Sequence, residues 1–241
     1  MDRPDAIPTG TEPSRWPPGW HVEVVDETGS TNADLLAAVA AGAPDRSVRM
    51  ARHQTAGRGR LDRRWEAPPG ANLLVSLLFR GVVAPPHELV QRVGLAALDA
   101  CERIAGVRAS LKWPNDLLVD DRKLAGILAQ STAADDGRVV VVGIGLNIGW
   151  APDGAARLGD GIVPETVLFA LLEAFDSLPV DLHDRYRERL GTLGRTVRVQ
   201  RTDDTIVEGR ALDVEADGRL VVLDGCGITH RIDTGDVTHL R

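Results

Sequence analysis

Apolar residues in the first half of the chain repeat with the periods of strands and of one long helix. Residues 21–25 and 47–53 alternate between apolar and polar side chains, as half-buried strands do. Residues 72–79 form a nearly continuous apolar run, which predicts a central strand buried on both faces. Residues 86–104 carry apolar side chains at helical spacing. The pattern therefore predicts a sheet with helix packed against it.

Cap and turn residues predict where further elements begin and end. Ser30 and Thr31, with Asp34 shortly after them, are typical of a helix start, and Gly42 predicts the end of that helix. The Asp-Asp-Arg segment at 120–122 predicts the turn of a hairpin. The remaining predicted elements are strands over 111–119, 123–130 and 139–148 and helices over 164–176 and 180–193.

The pattern changes after residue 196, where short apolar stretches are separated by acidic and glycine-containing turns. Five short strands in roughly 45 residues predict a small β-barrel of the SH3 kind. The first twenty residues contain five prolines and no periodic pattern, which predicts a loose leader. The sequence is therefore divided into a leader over 1–20, a larger α+β domain over 21–193 and a barrel over 194–241.

The composition narrows the class of protein. With 43% apolar and 26% charged residues the chain has an ordinary globular composition, and its net charge of −7 argues against nucleic acid or an anionic membrane as the main partner. Cys101 and Cys226 are far apart and predict two buried thiols rather than a disulfide or a metal site. Apolar runs of transmembrane length and a secretion signal are not found, so we expect a cytoplasmic protein.

Lysine is scarce, and its two positions coincide with one motif. Of 28 basic residues only Lys112 and Lys123 are lysines, and they lie eleven positions apart. The surrounding segments read Lys-Trp-Pro-Asn-Asp at 112–116 and Arg-Lys-Leu-Ala-Gly at 122–126. Lysine carries a compact point charge, whereas arginine carries a wide planar fork. The distribution therefore indicates a place where arginine cannot substitute.

Pro114 interrupts the strand pattern inside this motif. Because proline has no N–H and holds the preceding residue extended, we expect a strand end at which Asn115 and Asp116 turn toward a cavity. Gly126 leaves the strand opposite without a side chain at one position. A structural interpretation remains open, in which Asp116 caps a turn and Trp113 belongs to the core.

The segment 54–65 is the most concentrated positive charge in the chain. Four arginines lie within residues 58–64, separated by glycine, and Trp65 follows. Glycine lets a backbone approach a ligand closely, arginine binds phosphate or carboxylate with two hydrogen bonds, and tryptophan offers a flat face for a base. The loop is predicted to bind an anion, although a solvated basic loop that contacts RNA or DNA is the alternative.

A second glycine-rich segment, residues 143–149, follows a predicted strand. Its spacing is GxGxxxG, one residue longer than the dinucleotide-binding fingerprint, and no clear βαβ unit follows, so we reject that interpretation. We interpret the segment instead as a strand in which glycines remove side chains, so that a ligand can approach the backbone. Asn147 would then offer its amide to an adenine edge.

Together these segments resemble the catalytic module of biotin protein ligases, in the order found in that family. The resemblance implies a mixed β-sheet with helices on one side, as in class II aminoacyl-tRNA synthetases, plus an SH3-like barrel. It also implies that biotin and ATP, with Mg²⁺, form biotinyl-5'-AMP, and that biotin then passes to a lysine of the carrier domain of a carboxylase. It extends over residues 21–149 and is carried by the segments 30–32, 54–65, 112–116, 122–128 and 143–147.

The resemblance implies roles for individual residues. Lys123 and Arg60 would be catalytic, and the metal ligands are not assigned. Asp116 is expected to be catalytic for a chemical reason, because the ammonium of the carrier lysine must be oriented or lose a proton before it attacks. The implied biotin contacts are Ser30, Thr31, Asn32, Gln54, Arg58, Gly59, Arg60, Lys123 and Gly126. The implied nucleotide contacts are Arg60, Arg63, Trp65, Lys112, Asn115 and Asn147. The chain departs from the family at Leu61 and Asp62, where many relatives carry a basic residue and glycine.

Further expectations concern partners. The chain has little room before residue 21 for the winged-helix domain of the regulatory members, so we expect no DNA binding. We also expect no membrane binding, because of the negative net charge and the lack of long apolar runs. A monomer or weak homodimer is expected.

The nearest alternative function is that of a lipoate or octanoate ligase or transferase. Ser30, Thr31 and Gln54 suit the hydrogen-bonding ureido ring of biotin better than a dithiolane or alkyl chain. A non-catalytic RNA-binding module is the other alternative.

Replacement of Lys123 by arginine tests the inference from lysine scarcity. A point charge between a carboxylate and a phosphate favours their approach, whereas the wider guanidinium would displace one of them. We expect Lys123→Arg to fold normally but to lower biotin-dependent ATP–pyrophosphate exchange by about 10²–10³-fold. Exchange close to that of the wild type would contradict the inference.

Overall fold

The computed structural model describes residues 16–240, which form two β-sheets and four α-helices. The large sheet is mixed, with strands in the order β1-β2-β3-β7-β6-β5-β4; β1 and β2 are parallel and all other neighbours are antiparallel. Its strands are β1 (His21–Thr28), β2 (Ser47–Gln54), β3 (Leu73–Phe79), β4 (Ser110–Lys112), β5 (Asp116–Val119), β6 (Arg122–Ala134) and β7 (Gly137–Leu146). The helices are α1 (Thr31–Ala40), α2 (Pro86–Ala105), α3 (Pro164–Ser177) and α4 (His183–Arg189).

Strand β3 is buried along its whole length, as its apolar sequence predicts, and its two faces contact different helices. Val75 and Leu77 belong to the main core, which also contains the apolar faces of α2 and α3. Leu78 packs with Leu35 and Val39 of α1 in a smaller cluster. Alternate residues of a strand point to opposite faces, so Leu78 faces away from Val75 and Leu77. Helix α1 therefore lies on the opposite face of the sheet from α2 and α3, and the prediction of helices on one side is wrong for α1.

Local sequence explains the limits of the helices. Ser30 is the N-cap of α1, as predicted, but its hydroxyl makes no capping hydrogen bond. Helix α2 begins at a proline and ends before Gly106, whose φ of 64° is the left-handed conformation that glycine adopts easily. Helix α4 is shorter than the predicted 180–193, because the chain becomes extended at Leu190 and Gly191 donates to the carbonyl of Leu111.

The predicted two-stranded hairpin contains three strands, β4, β5 and β6. The predicted strand 111–119 is interrupted, since residues 113–115 form the turn between β4 and β5, with a cis peptide before Pro114. Asp120 and Asp121 have φ values of 49° and 61° and join β5 to β6, as in the tight turns of right-twisted hairpins. Strand β6 begins at the predicted turn and runs beyond the predicted end.

The C-terminal region forms the five predicted strands as an antiparallel sheet. Strand pairings among the described residues do not close it, so the predicted barrel is confirmed only as a five-stranded sheet. Trp113 joins it to the large sheet, because its indole N–H donates to the carbonyl of Gly218 at 2.9 Å. The strands, in the spatial order β11-β10-β9-β8-β12, are β8 (Thr196–Gln200), β9 (Ile206–Val214), β10 (Leu220–Asp224), β11 (Thr229–Ile232) and β12 (Asp236–His239).

The predicted leader extends too far toward the C-terminus. Residues 1–15 lie outside the described residues, but Trp20 is only 6% exposed and belongs to the main core. Its indole N–H donates to Asp176 at 2.9 Å, and the guanidinium of Arg46 lies 4.2 Å from its ring centroid. A proline-rich composition does not show where such an aromatic anchor begins.

The two cysteines differ in their surroundings. Cys101 is buried as predicted, and burial raises the pKa of its thiol to about 12. Cys226 is exposed, so the prediction is wrong for this residue. Neither cysteine forms a disulfide. Among the helices of residues 16–240, none has the length and apolar character needed to cross a membrane.

Substitution of Trp20 tests whether residues 16–20 belong to the cooperative fold. Trp20→Ala removes a large core side chain, so we expect the free energy of unfolding to fall by about 3–5 kcal/mol. Trp20→Phe keeps most of the ring contact but loses the hydrogen bond to Asp176, so we expect a loss of about 1 kcal/mol. Urea unfolding measures both. Equal, small losses would contradict the placement of Trp20 in the core.

Candidate active site

A cavity of about 270 Å³ opens on the face of the large sheet that also carries α1. Its walls come from the start of α1, the arginine-rich loop, the turn before β5 and strands β6 and β7. Of the residues that the sequence pointed to, the cavity is lined by Ser30, Thr31, Asn32, Gln54, Arg58, Gly59, Arg60, Arg63, Trp65, Asn115, Asp116, Lys123, Gly126 and Asn147. Further lining residues, among them Pro152, Ala155 and Asp236, carry no signal in the sequence, whereas Gly143 and Gly145 belong to the glycine-rich strand that was predicted to admit a ligand.

The floor of the cavity is bare backbone. A Cβ at Gly145 would lie 2.4 Å from Cε2 of Trp65, and one at Gly126 would lie 3.3 Å from its Cζ3. The indole therefore rests on β6 and β7 where these strands lack side chains. A Cβ at Gly143 would lie 2.2 Å from Oδ1 of Asn32. The strand glycines were predicted to admit a ligand; in the structure they also admit two side chains of the protein.

Lys123 lies on the cavity wall with Asp116. Its Nζ is 2.7 Å from Oδ1 of Asp116 and 5.7 Å from the ring centroid of Trp65. The lysine side chain is 39% exposed, so its charge faces both the carboxylate and the open cavity. Antiparallel pairing of β5 and β6 brings these residues together across the two-residue turn. Of the two lysines in the motif, Lys123 thus contributes an ion pair to the site, with a partner seven positions before it in the sequence.

Arg60 crosses from the loop to the second sheet. Its guanidinium donates to Oδ1 of Asn115 at 3.1 Å, to Oγ1 of Thr234 at 3.3 Å and to the carbonyl of Gly235 at 3.2 Å. Burial lowers the pKa of Arg60, and the nearby Asp236 and Asp116 carboxylates oppose that shift.

Asp236 also binds the loop. It accepts a hydrogen bond from Arg63 and lines the cavity. The C-terminal sheet is therefore part of the site. No spacing in the sequence indicated this contact, because the partners lie more than 170 residues apart.

Comparison with known proteins agrees with this arrangement. The model of the biotin/lipoate A/B protein ligase family matches residues 24–147, and the model of the biotin protein ligase C-terminal domain matches residues 192–240. The biotin–[acetyl-CoA-carboxylase] ligase of Mycobacterium tuberculosis is 39% identical, over 92% of this chain and 91% of its own. The chain belongs to the biotin protein ligase family.

A second relative and a solved structure are also similar to this chain. The biotin–[acetyl-CoA-carboxylase] ligase of Paracoccus denitrificans is 37% identical over 61% of this chain and 68% of its own. Among solved structures, the biotin protein ligase of Aquifex aeolicus in complex with biotin and ATP has a TM-score of 0.77. That structure covers 92% of this chain and 99% of its own, and at 23% identity it shows a shared fold.

In this biotin protein ligase the start of α1 forms a polar end of the cavity. Thr31 and Asn32 are 3% and 6% exposed, yet both line the cavity. The backbone N–H and the hydroxyl of Thr31 lie 2.8 and 3.1 Å from Oε1 of Gln54. Ser30 lines the same end, and its hydroxyl makes no capping hydrogen bond to α1. Hydrogen-bonding groups are therefore concentrated at this end of the cavity.

Asn147 lines the cavity, whereas Lys112 does not. The amide nitrogen of Asn147 donates to the carbonyls of Lys123 and Ala156 at 3.4 and 3.0 Å, and its oxygen accepts from Asn72 at 3.3 Å. Asn147 therefore holds the backbone of the lysine strand, and a contact with adenine stays a prediction. Lys112 is not among the lining residues, and burial lowers its pKa against the opposing effect of acidic neighbours. Its contact with nucleotide also stays a prediction.

Gly145→Ala tests the contact between Trp65 and the strand. The added methyl would overlap the indole, so Trp65 and the arginine-rich loop must leave the sheet. We expect trypsin to cleave the loop at least several times faster, while urea unfolding still shows one cooperative transition.

Gly225→Ala is a matched control for this substitution. Its Cβ would meet nothing within 4 Å, so loop cleavage should not change. Equal cleavage rates for Gly145→Ala and the wild type would show that the loop does not depend on this contact.

Proposed function

We propose that this chain is an ATP-dependent biotin protein ligase. It forms biotinyl-5'-AMP from biotin and ATP and then transfers biotin to a specific lysine of the biotin carboxyl carrier domain of an acyl-CoA carboxylase, as the names of its relatives indicate. One observation carries the proposal: a hydrogen-bonding end at Thr31 and Gln54 and a cationic wall at Lys123 and Arg60 share one cavity. A neutral ureido head and an acid tail match these two ends.

In the first step the carboxylate of biotin attacks the α-phosphate of ATP, and pyrophosphate leaves. The nucleophile is already ionised, so this step needs no base, but two anions must approach each other. Lys123 is placed at the cavity wall to bind both as a point charge, and Arg60 and Arg63 to bind the phosphates. Closure of the loop over the site would protect the mixed anhydride from water.

Magnesium is proposed to enter with ATP. Within residues 16–240 no group of three or more histidine, cysteine or acidic side chains could enclose a metal ion. Mg²⁺ is commonly held by one or two carboxylates together with phosphate and water, so a protein cage is not needed. Asp236 and Glu66 line the cavity and are acidic residues that would hold it. When bound, the ion would offset negative charge on the phosphates.

In the second step the ε-amine of the carrier lysine attacks the adenylate, and AMP leaves. An ammonium with a reference pKa of about 10.4 must lose a proton before it can attack. Asp116 is proposed to orient this ammonium or to accept its proton. The position of the carboxylate on the cavity wall, paired with Lys123, supports this role.

Asp116→Asn separates the two steps. The amide cannot accept a proton or carry a negative charge, so we expect single-turnover transfer from preformed biotinyl-5'-AMP to the carrier to fall about 10²-fold or more. Biotin-dependent pyrophosphate exchange should fall much less, because no base is needed there. Asp120→Asn, in the exposed turn, is the control. An equal loss in both steps would instead assign Asp116 to the structural support of Lys123 or to the metal.

The overall function is tested by pyrophosphate exchange followed by biotin transfer to a purified carrier domain. Isothermal titration with biotin and lipoate separates the ligase from the lipoyl alternative. Salt-sensitive RNA binding without exchange would favour the RNA-binding alternative. A cytoplasmic location, a monomer or weak homodimer, and the absence of DNA binding remain predictions from the sequence.

A further inference from the structure

Ser76 lies below the cavity and contacts the start of α1. It is fully buried on β3 and is not among the lining residues, so a ligand does not reach it. Its Oγ is 2.7 Å from Oγ1 of Thr31 and 2.5 Å from Oδ1 of Asn32. Across the sheet its register partner is Gly143, which leaves the space that the Asn32 amide occupies. One buried hydroxyl thus links two residues of the cavity wall.

The backbone fixes the orientation of the Asn32 amide. Its nitrogen lies 3.3 Å from the carbonyl oxygen of Leu128 and 2.9 Å from Oε1 of Gln130. A backbone carbonyl can only accept a hydrogen bond, so the nitrogen must face it. The amide oxygen therefore faces Ser76, and this oxygen can only accept.

A count of protons then sets the direction of the next hydrogen bond. Ser76 has one proton, and it goes to Oδ1 of Asn32. The 2.7 Å contact between the two hydroxyls needs a proton as well, and only Thr31 can give it. Oε1 of Gln54 is a second acceptor for the Thr31 hydroxyl, at the longer distance of 3.1 Å, and it also accepts from the Thr31 backbone N–H. The Thr31 proton therefore stays within the protein, and Ser76 is its nearer acceptor. The Thr31 hydroxyl is left with lone pairs toward the cavity.

We infer that Ser76 is a positioning residue that makes the Thr31 hydroxyl a hydrogen-bond acceptor toward the ligand. The site would then select a head group with N–H donors, such as a ureido ring, over an alkyl or dithiolane head that has none. This inference rests on the proposed binding of biotin at this end of the cavity. It assigns specificity to a residue that the ligand never touches.

A double-mutant cycle tests the coupling. We expect Ser76→Ala to weaken biotin binding in isothermal titration by roughly 10-fold, because the nearer acceptor of the Thr31 proton is removed and only the longer hydrogen bond to Gln54 still orients it. Thr31→Val should weaken binding by a similar factor. In the Thr31→Val background, Ser76→Ala should weaken binding by less than about threefold, since its effect passes through Thr31.

Two measurements separate positioning from a general structural role. In Ser76→Ala the KM for biotin should rise while the KM for ATP changes by less than about threefold. Ser47→Ala is the matched control, because it removes a buried hydroxyl on the neighbouring strand β2, whose partner is the carbonyl of Pro44. It should alter thermal stability but not biotin affinity.

The outcomes are distinguishable. If the wild type fails to bind biotin, the proposed function fails and the inference fails with it. If the wild type binds biotin but Ser76→Ala binds it equally well, or if the two substitutions act additively, the function stands and the role of Ser76 is overturned. A parallel rise in both KM values would also overturn it, since a loosened fold would affect both substrates.

Discussion

The cavity exists because one face of β7 lacks side chains at two alternate positions. Gly143 and Gly145 point toward the cavity, whereas Ile144 between them points into the core. Added Cβ atoms would lie 2.2 Å from the amide of Asn32 and 2.4 Å from the indole of Trp65. Such distances are far inside van der Waals contact, so both groups would have to leave the sheet. The bare strand therefore lets the polar start of α1 and the aromatic end of the loop meet over one surface.

The concentration of cations around this surface needs a counterbalance before anionic substrates arrive. Lys123 pairs with Asp116, and Arg63 pairs with Asp236 of the second sheet. The Arg63–Asp236 pair is exposed on both sides, and exposed ion pairs contribute about 0–1 kcal/mol. An arriving phosphate can therefore replace Asp236 as the partner of Arg63 at little cost, whereas Asp116 is mostly buried beside Lys123. These ion pairs orient Lys123 and Arg63 in the ligand-free protein.

Sequence reasoning predicted what depends on local pattern. The buried run of β3, the helix α2 and the cavity-facing pair Asn115 and Asp116 follow from apolar period and from a proline at a strand end. The roles assigned to them in binding remain predictions. Nearly all of the proposed site residues surround one cavity, because the motifs that suggested them lie on neighbouring strands and loops.

What could not be predicted depends on tertiary packing. The face on which α1 packs is decided by which side of β3 is left uncovered by α2 and α3. Trp20 joins the core although prolines precede it, since a buried aromatic side chain outweighs a loose local composition. Asp236 enters the cavity from a strand that no motif connects to it. Sequence spacing carries no information about contacts of this kind.

Buried polar side chains tie the fold to the site. Seven are found among the described residues, and Thr31, Asn32, Ser76, Asn72 and Asn147 either line the cavity or hold a residue that does. An unsatisfied buried polar group costs about 1–3 kcal/mol, so each hydrogen bond of these networks must be formed for the sheet to be stable. The orientation of the binding groups is therefore fixed when the chain folds. Thr31 and Asn32 then need no side-chain ordering when a ligand binds, and such preorganisation favours discrimination between head groups of similar size.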